Sequence, residues 1–165
     1  EEQEELEQIV LGSHPVDIGF TEEGWFVVRM DPLAKTKALA SKQYIRGIIA
    51  PAMRKFFAGK PNVRYPKCVL IFRHVYDRNF PVRHMRDYDN VEVKQVTDVV
   101  AMYVMVDDNP VNCRTYHCCA VGNCCRTEVY VVPQDEFIQW YHQEPDIPDE
   151  GVLLSGQVPD KWKII

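Results

Sequence analysis

The run Cys68-Val-Leu-Ile-Phe-Arg-His-Val-Tyr76 constrains the fold more than any other stretch of the chain. It alternates and is β-branched enough to be a strand that crosses the centre of a sheet. Residues 25–30 read as an earlier strand. Between the two, residues 41–57 place Tyr44, Ile45, Ile48, Ile49, Ala52, Met53 and Phe56 at helical spacing, with Pro51 expected to kink the helix. Residues 91–104 repeat that spacing through Val93, Val96, Val99, Val100, Tyr103 and Val104, although so many valines give poor intrinsic helix propensity. Residues 114–121 and 126–132 are expected to be the two strands of a hairpin joined near Gly122-Asn123, followed by a short helix over residues 134–142. Strands and helices in this order predict an α+β fold, a single domain with a mixed β-sheet packed by helices.

A chain of 165 residues with 46% apolar content holds one hydrophobic core and little more. The expected organisation is an acidic N-terminal helix and linker over residues 1–24, a folded domain over residues 25–142, and an irregular C-terminal tail over residues 143–165 in which Trp162 and the final Ile164 and Ile165 dock. Because residue 1 is Glu, the chain reads as beginning inside a longer one or after a removed tag. No run approaches the roughly 18 apolar residues of a membrane helix, and the acidic start is unlike a signal peptide, so a soluble cytoplasmic protein without a membrane partner is expected.

The net charge of −5 conceals an asymmetry. From Arg29 to Arg86, 14 lysines and arginines stand against two acids, a local charge of +12 against −17 for the rest of the chain. Such a segment fits a phosphate-facing surface, or alternatively an ordinary solvated face. It leads into Asp87-Tyr88-Asp89-Asn90, just before the predicted helix, and a second acidic pair, Asp107-Asp108, comes after that helix. Carboxylates brought together repel unless a cation neutralises them, and oxygen-only ligands select hard ions such as Mg²⁺ or Mn²⁺. Taken singly, each pair can also be local chemistry. Asp89 or Asn90 can cap the helix with Glu92 completing a capping box, and Asp107-Asp108 can be a turn.

The joint pattern of Asp87-x-Asp89-Asn90, then Lys94, Asp98 and Asp107-Asp108, resembles the signature of RusA-type Holliday junction resolvases. The resemblance extends to the basic loop from Arg83 to Arg86, to the strand before it, and to an upstream helix bearing Tyr44 and Arg46. It covers roughly residues 25–132 and is specific from about residue 83 to 109. It implies a RusA-like nuclease domain, a homodimer, and hydrolysis of phosphodiester bonds in branched DNA. By that resemblance Asp87, Asp89 and Asp108 are catalytic carboxylates holding Mg²⁺ or Mn²⁺, with Asp107 as an auxiliary ligand. Lys94 is the catalytic lysine, and Arg73, Arg78, Arg83 and Arg86 hold DNA phosphates. Three residues separate Asn90 from Lys94 where the family has two, and on a helix one inserted residue rotates all later side chains by about 100°. The interval from Asp98 to Asp108 is one residue shorter than in the family, so the overall spacing is restored. A non-catalytic descendant that binds nucleic acid or a protein partner is the alternative, and a structural domain whose aspartates are caps and turns is a third reading.

Six cysteines include the pairs Cys118-Cys119 and Cys124-Cys125. In a hairpin they fall on opposite faces and cannot surround one zinc ion, so unpaired and mostly buried thiols are expected rather than zinc or disulfides. His74, His84 and His117 lie near the basic loop or hairpin, where a nuclease could use one as a general base. There is no Gly-rich phosphate loop, dinucleotide fingerprint or G-x-S-x-G elbow, hence no organic cofactor is expected.

Overall fold

The computed structural model describes residues 16–32, 45–61, 63–79, 93–105, 109 and 111–162. A five-stranded sheet is built from β1 (Asp17–Phe20), β2 (Phe26–Met30), β3 (Cys68–Asp77), β4 (Cys113–Gly122) and β5 (Arg126–Pro133), in the order β1-β2-β5-β3-β4. All neighbours are antiparallel except β3 and β4, which run parallel. The helices are α1 (Ala50–Phe57), α2 (Val93–Val104) and α3 (Phe137–Gln143). The fold is therefore a single α+β domain with a mixed sheet packed by helices.

β3 and β5 are inner strands, and every residue of β3 up to Val75 and all of β5 are buried. Both faces are covered, which is why the sequence of β3 is apolar almost without interruption. One face carries Phe26, Val28, Leu70, Phe72, Val129 and Val131 against Ile49 and Met53 of the first helical segment and Val96, Val100 and Val104 of α2. The other presents Val27, Val69, Ile71, Tyr130 and Val132 to Trp140 of α3 and to Ile147, Val152 and Leu154 beyond it.

Pro51 sits in the first turn of α1, directly after a π-helical turn over Ile45–Ile49. A proline has no N–H to donate back along the helix, so the change of helical type falls where the sequence predicts the kink. α2 connects the parallel strands β3 and β4, so β3-α2-β4 is one crossover unit.

The predicted hairpin is replaced by a different connection. β4 and β5 are separate strands as expected, but β3 lies between them. Residues 123–125 cross the end of β3, where the Arg78 amide donates to Gly122 O at 3.1 Å and the Asp77 amide donates to Cys125 Sγ at 3.3 Å. The crossing leaves little room at Gly122. A Cβ on Gly122 would lie 2.8 Å from Val75 Cγ1 and 3.0 Å from Asp149 O.

Both ends of the described chain also enter the sheet more than predicted. β1 falls inside the expected linker, and Ser155 pairs with Phe20 through two backbone hydrogen bonds of 2.8 and 2.9 Å. Trp162 docks as expected, its ring 4.5 Å from that of Tyr65 and its indole N–H donating to Gly24 O. Ile164 and Ile165 lie outside the described residues. Among the described residues no helix is long and apolar enough to cross a membrane.

Candidate functional site

The two acidic segments belong to the two connections of the β3-α2-β4 unit. β3 ends at Asp77, α2 runs from Val93 to Val104, and β4 begins at Cys113. Asp87, Asp89, Asp107 and Asp108, together with Arg83 and Arg86, lie outside the described residues. At 1.5 Å per residue α2 is about 18 Å long, so the connections leave from opposite ends of it. The far end is held by the Tyr65 amide, which donates to Val104 O at 2.8 Å. Asn109 closes the second connection by accepting the Val111 and Asn112 amides on its Oδ1, each at 3.0 Å.

Lys94 lies exposed in the first turn of α2, four residues before the exposed Asp98. Arg46, from the upstream helical segment, is also exposed, as are Arg54, Lys55, Arg64 and Lys67 around α1 and the approach to β3. Arg78 is exposed at the exit of β3 and paired with Asp149.

Arg73 stands elsewhere than the resemblance predicts. It shares one face of β3 with Val69, Ile71 and Val75 and is only 5% exposed. Its Nη1 donates at 2.9 Å to Oε1 of Glu128, whose other carboxylate oxygen accepts Arg126 Nε at 2.7 Å. Glu144 lies 3.6 Å from Arg73 Nε. Tyr130 Oη, 3.4 Å from Glu128 Oε1, has its pKa raised by burial and then by that carboxylate, so it stays a phenol. A guanidinium enclosed in this way is a piece of the core and offers no surface to a DNA phosphate.

On the opposite face of β3, beside α2, His74 meets His117 of β4. His74 Nε2 is 3.4 Å from His117 Nδ1, with ring planes within 6° and centroids 5.7 Å apart. A ring nitrogen lies a little over 1 Å from its ring centre, so those distances set the two nitrogens edge to edge on the line between the rings. Phe72 stacks on His117 at 5.0 Å. Burial, and secondarily His117, lower the His74 pKa to about 4, so that imidazole is neutral near pH 7.

A family model matches residues 1–152. The chain belongs to the family of unknown function DUF6100. No curated protein matches it. Among solved structures, the periplasmic domain of Helicobacter pylori MotB is similar over 84% of this chain and 91% of that chain, at 13% identity and a TM-score of 0.42. That superposition is too loose to carry an argument about either fold or function.

The six cysteines are thiols, with Cys68 and Cys113 buried and Cys119 and Cys124 exposed. Because β4 and β5 are not neighbours, their positions do not follow hairpin geometry. Cys118 and Cys119 point to opposite faces of β4, whereas Cys124 and Cys125 lie in the crossing over β3. Burial pushes the Cys118 thiol up to about 12 and raises Cys119 as well, while a hydrogen bond with Cys113 raises Cys68. None of these three has the depressed pKa of a nucleophilic cysteine.

The contact between His74 and His117 and the ionic group around Glu128 escape a reading of spacing alone. Each depends on which strands are neighbours. The local signal was present all the same for Arg73, which stands between Ile71 and Val75 on the same face of its strand.

Proposed function

We propose that this chain is a divalent-metal-dependent endonuclease acting on branched DNA, related to the RusA-type resolvases and working as a homodimer. The observation that carries the reading is the coincidence of motif and frame. Asp87-x-Asp89-Asn90 and Asp107-Asp108 flank α2 on the two connections of one β-α-β unit, and Lys94 stands exposed in that helix's first turn. The donor set fits a hard ion, since all four side chains are carboxylates. Asp87, Asp89 and Asp108 would hold Mg²⁺ or Mn²⁺, with Asp107 as auxiliary. Such an ion supplies charge neutralisation at the phosphate and a water acidic enough to ionise.

The remaining work falls to the protein's own cations. Lys94, exposed in the first turn of α2, would offset charge on a phosphate. Arg78 can exchange Asp149 for a DNA phosphate, because both members of that pair are exposed and a surface ion pair is worth about 1 kcal/mol or less. Arg46, Arg54 and Lys55 extend the positive surface along the first helical segment. Two copies related by a two-fold axis would present two sites to a four-way junction.

A second reading, binding of nucleic acid or a protein partner without cleavage, is favoured by the extra residue between Asn90 and Lys94, which turns Lys94 by about 100° on its helix. The deciding experiment is incubation of a labelled four-way junction and a matched linear duplex with Mg²⁺ or Mn²⁺, using Asp87→Asn as control. Junction-selective cutting that disappears in Asp87→Asn is the expected outcome. Tight junction binding with no cutting supports the second reading, and neither binding nor cutting sinks the first and leaves the second only a protein partner.

A further inference from the structure

On the face of the sheet away from α2, the smaller core borders a cavity of about 240 Å³. Trp25, Tyr130 and Trp140 line it, and each of the three is at most 2% exposed. Glu23, half-buried, and Asp146, exposed, line it too, whereas among the described residues no lysine, arginine or histidine does. We propose that this cavity binds a small quaternary ammonium compound of the choline type.

The strands and α3 assemble the aromatic wall. Trp25 immediately precedes β2, Tyr130 stands opposite Val27 in the antiparallel register of β2 and β5, and Trp140 packs on them from α3. Tyr130 and Trp140 meet with ring centroids 5.5 Å apart and planes inclined by 63°. The polar tips of two of the rings are engaged elsewhere, Trp25 Nε1 donating to Glu136 at 3.0 Å and Tyr130 Oη lying 3.4 Å from Glu128. Neither glutamate lines the cavity, so both residues offer it ring carbon. The Trp140 indole N–H is buried with no hydrogen-bond partner among the described residues. An orphaned donor in a cavity wall calls for an acceptor that a ligand can bring, such as the choline hydroxyl.

These walls select the chemistry of the ligand. A primary ammonium carries three N–H donors and would lose their hydration against ring carbon. A quaternary ammonium has no such donors, and its methyl groups pack on aromatic rings that also attract its charge. Glu23 and Asp146, nearer to solvent than the rings, complement a positive guest and repel an anion. The volume falls below the roughly 300–1,000 Å³ of sites for drug-sized ligands, which limits the guest to a small molecule.

The test uses the full chain without DNA or divalent metal, so it does not depend on the nuclease reading. Choline chloride is titrated at constant ionic strength while the indole N–H signals of Trp25 and Trp140 are followed by NMR. Beside it runs 3,3-dimethylbutan-1-ol, the neutral isostere in which carbon replaces the charged nitrogen. Saturable shifts of both signals are expected, with the isostere about tenfold or more weaker because it lacks the attraction of a cation to rings and carboxylates. The double variant Glu23→Gln/Asp146→Asn, its fold checked by circular dichroism, should weaken choline by a similar factor and leave the isostere unchanged. Phosphatidylcholine vesicles form a further arm. The proposal is overturned if the two indole signals stay still, if the isostere binds as tightly as choline, if the folded double variant binds choline as the wild type does, or if vesicles bind and free choline does not.

Discussion

Arg73 shows how one residue changes role when its neighbours are known. In the sequence it is one of a series of cations leading towards the acidic motif, and on that basis it belongs with the phosphate contacts. In the folded chain it neutralises Glu128, a carboxylate with no exposed surface, in company with Arg126. Removing one partner of a buried ion pair leaves the other charge without its full complement, which typically costs about 3–5 kcal/mol. Because Arg126 remains, Arg73→Met should cost about 3 kcal/mol, read as a lower urea midpoint with an unchanged slope. The same variant should bind DNA as the wild type does once folded. An Arg73→Met protein with undiminished stability and weakened DNA binding would return this residue to the surface role.

At the level of elements, periodicity locates β2, β3, α2 and α3 to within a few residues, because each buries a continuous stripe or face. What periodicity does not encode is which strands are neighbours. β4 and β5 read as a hairpin since a glycine and an asparagine separate them. They are kept apart because β3 pairs with β4 in parallel and with β5 in antiparallel fashion. The acidic motif and its place before and after α2 were legible, whereas the parallel pairing of the strands that α2 connects was not. The crossing over β3 makes a prediction at this scale. Gly122→Ala puts a methyl group against Val75 and the Asp149 carbonyl, and overpacking of this kind costs about 1–3 kcal/mol. Gly47 stands in the helical segment Ile45–Ile49 with nothing within 4 Å of an added Cβ, so Gly47→Ala should stabilise by about 0.5–1 kcal/mol. Thermal melts of the two variants should move in opposite directions, and a shared direction would show that the crossing is looser than its contacts imply.

For the molecule as a whole, the C-terminal stretch closes the fold, although its proline and acidic content reads as irregular. It has little regular structure, yet it touches both faces of the sheet. Arg126 donates to Asp149 O at 2.8 Å and Arg29 to Val152 O at 2.6 Å, while Ile147, Val152 and Leu154 pack on the smaller core. Ser155 pairs with β1 at the sheet's edge, and Val158 and Trp162 reach the main core. The order of contacts explains why the first strand and the last turn are interdependent, since β1 has β2 on one side and Ser155 on the other. Deleting residues 144–165 would therefore expose two apolar surfaces and remove the Glu144 carboxylate beside Arg73. Burying each large apolar side chain is worth about 1.5–3 kcal/mol, so losing several at once takes away most of the roughly 5–15 kcal/mol that holds an average domain together. The truncated chain should be aggregated, or should melt at least about 10 °C below the full chain, with the protection of β1 amides from hydrogen exchange lost first. A truncated protein that melts with the full chain and keeps those amides protected would show instead that the sheet is complete without its tail, and that Trp162 and Ser155 rest on a surface already stable.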